Sequence, residues 1–150
     1  MTELNDFRRA TGTVRKQLFD ENGVCIYEHT DSNLVVTSGK VAEAAWLAAS
    51  SQSGPFMSYV GLGTGSTSPT VGDTVLQTPL PTYVQGTLSS VSNVWQNVTT
   101  FGPGVDTGAI TEAGLFQTSS GGTMWARNVF SVINKGAGNS LVVTWQITLS

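Results

Sequence analysis

The stretch Leu141-Val142-Val143-Thr144-Trp145-Gln146-Ile147-Thr148-Leu149 decides the fold class. Leu141, Val143, Trp145, Ile147 and Leu149 recur at every second position, with Val142, Thr144, Gln146 and Thr148 between them. Side chains alternate across a strand, so one face of this segment is apolar and the other mostly polar. That is a half-buried β-strand. Val94, Trp95, Val98 and Phe101 mark a second strand near 93–101, rich in β-formers. Further strands are expected near 12–19, 24–29, 33–37, 56–62, 83–92, 109–117 and 123–133.

Turn residues fall between these runs. Asn22-Gly23 separates Lys16–Phe19 from Val24–Tyr27, and Asn-Gly supplies the positive φ angles of a type I′ hairpin turn. Ser119-Ser120-Gly121-Gly122 separates Leu115-Phe116 from Met124-Trp125, predicting a second hairpin. Gly136-Ala137-Gly138-Asn139 predicts a third, between Val132-Ile133 and Leu141. Sequence-adjacent hairpins favour an antiparallel sheet. One helix is expected over Lys40–Ser51, which is alanine-rich. Ser38 is its N-cap candidate and Gly54-Pro55 its terminator. Val41, Ala44, Ala45, Leu47 and Ala48 share the face expected to pack on the sheet. The expected fold is an all-β antiparallel sandwich, jelly-roll-like, with one short α-helix. Residues 1–11 are expected to form an N-terminal arm and residues 12–150 a single domain.

Composition narrows the function classes. The chain has 150 residues, 39% hydrophobic and only 11% charged, against about 25% charged in an ordinary globular protein. A core is within reach, and a disordered polyelectrolyte is excluded. The net charge of −3 argues against a nucleic-acid partner. No apolar run approaches the roughly 20 residues of a membrane helix, so no membrane partner is expected. MTELNDFRRA has no apolar stretch behind its charges and does not read as a secretory signal. Synthesis in a cytoplasm is the expectation.

Charge is unevenly placed. Twelve of the 17 charged residues lie in the first 43 positions. The remaining body holds only Asp73, Asp106, Glu112, Arg127 and Lys135. Soluble monomers usually carry more, so the body is expected to be covered by copies of itself or by a scaffold. Arg8, Arg9, Arg15 and Lys16 suit an arm that grips an acidic neighbour.

Catalytic chemistry has little to work with. Gly61-Leu62-Gly63-Thr64-Gly65 lacks the following helix a dinucleotide fingerprint needs; the glycines read as a tight, exposed bend. Gly63–Pro81 reads as a long loop, functional or held by a partner. Cys25 is the only cysteine and His29 the only histidine, so a Cys-based zinc site is excluded. The two lie about 13 Å apart along a strand and do not pair. Cys25 is expected in the core and His29 exposed at a strand end. Asp73 and Asp106 read as turn residues. Glu112 and Arg127 fall on the two arms of the Ser119–Gly122 hairpin and are assigned as a structural ion pair. No catalytic, metal or cofactor-binding residue is assigned. Trp95-Gln96-Asn97 has the flavour of a glycan site, whereas Trp125 and Trp145 read as core.

Several motifs carry a resemblance when taken together. Val60-Gly61-Leu62-Gly63-Thr64-Gly65 leads through Pro69 to Gly72-Asp73-Thr74-Val75-Leu76. Glu112-Ala113-Gly114-Leu115-Phe116 precedes Gly121-Gly122-Thr123-Met124-Trp125-Ala126-Arg127 and Phe130, and Leu141–Ile147 closes the series. Asn33–Lys40 enters the helix. This order and spacing, over roughly 33–149, resembles small virion proteins of tailed bacteriophages. The resemblance implies a structural role, with no catalytic residues: a capsid decoration (cement) protein on the capsid surface of the virion, binding the major capsid protein between capsomers and stabilising the shell. It also implies a β-rich homo-oligomer, often a trimer. The alternative is a tail component (tail tip, baseplate or short fibre module) that contacts tail proteins and has a possible glycan or receptor site.

Overall fold

The computed structural model describes residues 10–49 and 57–149. Among these, ten strands and one helix follow one another: β1 (Ala10–Phe19), β2 (Cys25–Ser32), β3 (Leu34–Val35), α1 (Thr37–Leu47), β4 (Tyr59–Gly63), β5 (Pro79–Gln85), β6 (Thr87–Val91), β7 (Val94–Phe101), β8 (Gly108–Thr118), β9 (Gly121–Lys135) and β10 (Ser140–Leu149). They form two five-stranded sheets, ordered β2-β1-β10-β7-β6 and β3-β9-β8-β4-β5. The strand pairings are antiparallel throughout. The protein is an all-β sandwich with one short helix. The first strand pairs with the last, β1 with β10, and β3 pairs with β9.

Alternation in β10 sets the core. Leu141, Val143, Trp145 and Ile147 are buried between the sheets, while Leu149 is half exposed. They pack with Val14 and Leu18 of β1, Phe101 of β7, and Val60, Leu62, Ala113, Leu115, Trp125 and Ile133 of the second sheet. Burying a large apolar side chain contributes about 1.5–3 kcal/mol, so this facing pair of apolar rows dominates the stability. Trp145 Nε1–H also donates to the Asn33 carboxamide oxygen (2.9 Å), whose Nδ2 donates to Gly12 O (2.9 Å), in the amide orientation that satisfies both contacts. Asn33 is the single residue between β2 and β3, where the chain passes from one sheet to the other.

Several expectations need correction. The strand expected over 83–92 is two strands in different sheets, broken at Gly86. A Cβ at Gly86 would stand 1.9 Å from Asn97 Oδ1, so the corner needs a residue without one. Gly136–Asn139 is not a hairpin turn. It carries the chain from β9 in the second sheet to β10 in the first. The β1–β2 connection is a hairpin, but only Gly23 has a positive φ, which rules out type I′. Asp20 braces it instead, its carboxylate accepting from Asn22 N and Val24 N, both at 2.9 Å.

The helix starts earlier than expected, and Val36, with no side-chain cap, is its N-cap. Ser38 lies in the first turn and donates to Met124 O at 2.7 Å. The helix meets β9 through buried Gly39 and partly buried Ala42. Val41 and Leu47, expected on the packed face, are exposed. The expected terminator Gly54-Pro55 lies outside the described residues.

Candidate functional site

The outer face of the second sheet carries the densest polar construction. Residues 64–78, between β4 and β5, lie across it. Below them sits Glu112 of β8, fully buried. Its Oε1 accepts from Thr78 N (2.7 Å) and Gly65 N (3.1 Å). Its Oε2 accepts from Gln77 N (3.1 Å) and from Arg127 Nη2 (2.8 Å) and Nε (3.0 Å). Arg127 Nη1 reaches on to Asp73 at 2.8 Å. Asp73 also accepts from Thr70 N (3.0 Å) and Thr70 Oγ1 (2.7 Å). Gln77 Oε1 holds Ser66 N and Thr67 N at 2.9 and 2.8 Å. One carboxylate, one guanidinium and one carboxamide thus fasten both ends and the middle of the loop. The sequence pairing of Glu112 with Arg127 is present as a buried ion pair.

Electrostatics agree with the geometry. Burial alone would raise the Asp73 carboxyl, but the Thr70 hydrogen bonds and the Arg127 guanidinium outweigh it and hold it below the usual carboxylate value. The Tyr83 phenol is pushed up by burial and by the nearby Glu112 charge.

The glycines of Gly61–Gly65 serve this arrangement. They are buried, not an exposed bend, and none has a positive φ. Space is what they provide. A Cβ at Gly63 would stand 2.4 Å from Glu112 Oε1 and one at Gly65 2.6 Å from it. A Cβ at Gly61 would meet the Tyr83 ring at 2.7 Å. Beside the carboxylate lies a small second core of Val36, Leu76, Phe116 and Met124. Tyr83 packs on it edge-on to Phe116, with ring centroids 4.9 Å apart. The long loop is therefore held by its own domain, with Val71 and Val75 exposed near its tip. A shallow cleft of about 440 Å³ between the loop and Arg127 has that guanidinium already matched by two carboxylates.

The other candidate residues are scattered. Arg8 and Arg9 lie outside the described residues. Arg15 is half exposed on β1 and pairs with Glu28 of β2 at 2.8 Å. Lys16 is not an arm residue: it is fully buried in β1, beside Asp31 and Asn128. Position decides this, since Val14, Lys16 and Leu18 share the inward face. Ala10 and Thr11, assigned to the arm, already pair with Leu149 and Thr148. Cys25 is exposed rather than in the core, because β2 is an edge strand that turns most of its side chains to solvent. His29 is exposed in mid-strand and touches Asp31 at 2.7 Å. Asp106 has φ +46° and is buried. Burial raises its carboxyl, with Thr82 and the Lys135 charge opposing.

Asn97 is buried and donates to Met57 O (3.1 Å), while Gln96 accepts from Gln146 (2.7 Å). Trp95 packs towards Trp125, centroids 6.3 Å apart. These three side chains are thus engaged in packing. Trp125 and Trp145 are core residues, as expected. Among the described residues no group of three or more His, Cys, Asp or Glu is placed to hold a metal.

The constellation that sequence reasoning missed is Lys16, Asp31 and Asn128. Its signal was a lysine at an apolar position of a period-2 strand. Comparison with family models gave no match, and neither did curated proteins or solved structures.

Proposed function

We propose that this chain is a non-enzymatic structural protein of a tailed-phage virion. Its first assignment is a capsid decoration protein that binds between neighbouring capsomers as a homo-oligomer, a trimer by the resemblance. The observation that carries the reading is the use made of Glu112. The acid best placed for chemistry has its lone pairs committed to three loop N–H groups and a guanidinium. A general acid or base needs a proton-transfer partner within reach, and this carboxylate braces a loop instead. Asp73 is spent in the same way. The product is a rigid body with a fastened outer loop, which suits a particle component.

Exposed apolar side chains on the loop and on the helix support self-association. Thr37 N donates to Val71 O at 2.8 Å, so the loop meets the start of α1. Val71 and Val75 on the loop and Val41 and Leu47 on the helix are exposed. Apolar side chains left exposed are available for contact with a neighbour, and symmetric repetition multiplies weak contacts.

The test is to separate purified particles of the encoding phage into heads and tails and count copies of this chain in each. Decoration requires many copies on heads, in a simple ratio to the major capsid protein. A few copies confined to tails would replace this reading with a tail component. Absence from the particle would end both.

A further inference from the structure

Lys16 lies on the inward face of β1, with no solvent-exposed surface. Its Nζ meets groups from three directions. The Asp31 carboxylate of β2 forms an ion pair with it. Asn128 Oδ1 of β9, in the opposite sheet, lies 3.1 Å away. The Phe130 ring closes the site, its centroid 4.4 Å from Nζ. Asn128 is itself buried, and its Nδ2 donates to Ser32 O at 3.0 Å. An amine, a carboxamide and a carboxylate are therefore held together across the two sheets.

A simple half-buried ion pair accounts for Lys16 and Asp31. It does not require an immobilised carboxamide beside the amine, and the ammonium end of the pair is cut off from water while the Asp31 end is partly exposed. Burial pulls the Lys16 ammonium down, with Asp31 opposing, while the Asp31 carboxyl, which burial would raise, is held below its usual value by Lys16 and His29. Passing one proton from Lys16 to Asp31 removes both charges and leaves a neutral amine, the nucleophilic form of lysine. Its target is fixed within contact distance, which replaces a bimolecular encounter by an oriented intramolecular one.

We propose that Lys16 and Asn128 become joined by an intramolecular isopeptide bond, formed by the chain itself with Asp31 as general acid and base. Asp31 takes a proton from the Lys16 ammonium. The Nζ lone pair attacks Asn128 Cγ, and Asp31 protonates Oδ1 as the tetrahedral centre forms. Asp31 then removes a second proton from Nζ and delivers it to Nδ2. The Cγ–Nδ2 bond breaks, the carbonyl re-forms, and its proton returns to Asp31. One Lys16 proton stays on the new amide, one departs with ammonia, and one remains on Asp31 until ammonia leaves as ammonium. Nothing is oxidised or reduced. The bond would tie β1 of one sheet to β9 of the other.

The test is the intact mass of the full-length chain, denatured, followed by peptide mapping. The expected mass is lower than the sequence mass by one ammonia, and the digest contains a branched peptide joining the Lys16 and Asn128 segments. Lys16→Arg and Asn128→Ala restore the sequence mass expected for each variant. Asp31→Ala does the same, while still carrying Lys16 and Asn128. The full sequence mass in the wild-type chain overturns the proposal and leaves an ion pair. Loss of one water overturns Asn128 as acceptor in favour of Asp31. Loss of ammonia without a branched peptide indicates succinimide formation at an asparagine and also overturns it. Ammonia loss that persists in Asp31→Ala overturns the role of Asp31. The wild-type measurement does not depend on whether any variant folds.

Discussion

Arg127 stands opposite Gly114 in the β8–β9 ladder and reaches Glu112 diagonally, with Nη2 2.8 Å from Oε2. Directly opposite Glu112 is Val129. The diagonal leaves room beside the pair, and Gly65, Gln77 and Thr78 turn their N–H groups into that room. The ion pair is the floor on which the outer loop rests.

Arg127→Ala should therefore be severe. It leaves a buried carboxylate without its cation, which costs about 3–5 kcal/mol. Glu112→Gln keeps the shape but turns an amide group toward loop donors, and should cost about 1–3 kcal/mol. Thermal unfolding measures both. In Glu112→Gln, amide exchange should accelerate across 64–78 and stay slow in β10. Unchanged stability and unchanged exchange would show that the loop does not depend on this carboxylate.

Gly63→Ala should destabilise the chain by about 1–3 kcal/mol through overpacking, since its Cβ would press on Glu112 Oε1 and on Thr78 O at 2.6 Å. Gly72→Ala is the matched control, because nothing lies within 4 Å of that Cβ. A change within about 0.5 kcal/mol is expected there. Equal effects at the two positions would contradict the space argument.

Asp106 should make stability fall as pH rises. Its carboxyl is raised above the ordinary aspartate value of 3.8, chiefly by burial. A raised acid favours the folded state below the unfolded pKa and loses that contribution as pH climbs through the folded value. Asp106→Asn should melt higher than wild type at neutral pH, with the gap closing as the pH is lowered towards 3.8. A gap that widens on acidification would reverse the assignment.

Asp73 should act in the opposite sense. Its carboxyl is held below 3.8, burial being outweighed by Thr70 and Arg127. Its contribution is complete above the unfolded value and disappears as pH falls through the lower folded value. Asp73→Asn should lose stability at neutral pH and converge on wild type in strong acid. A constant difference across an acid titration of melting temperature would argue against an ionic role.

Much of this fold was legible in the alternation of β10, because a strand with one buried face writes its burial at every second position; β7 buries Asn97 and Thr99 on that face and does not show the pattern in its apolar residues. The Glu112–Arg127 pair was legible because a short turn fixes which residues of a hairpin come near each other. Its function as a loop floor was not. The glycines that make room for Glu112 look the same in sequence as glycines that bend a chain. The Gly136–Asn139 connection was misread because a short loop can return within a sheet or cross to the opposite one.

Lys16 was grouped with Arg15 by charge, whereas its neighbours two positions away, Val14 and Leu18, place it indoors. Cys25 was misplaced because small apolar character does not reveal that β2 is an edge strand. In α1, Gly39 and Ala42 meet β9 while Val41 and Leu47 face outward, so the larger apolar residues do not indicate which side packs.

The proposed decoration role is tested most directly by co-sedimentation of the purified chain with bare capsids of the phage proposed to carry it, with bound copies quantified on a gel. Saturation at a fixed simple ratio to the major capsid subunit is the result this account predicts. A chain that stays in the supernatant at every concentration, while binding isolated tails, would contradict it.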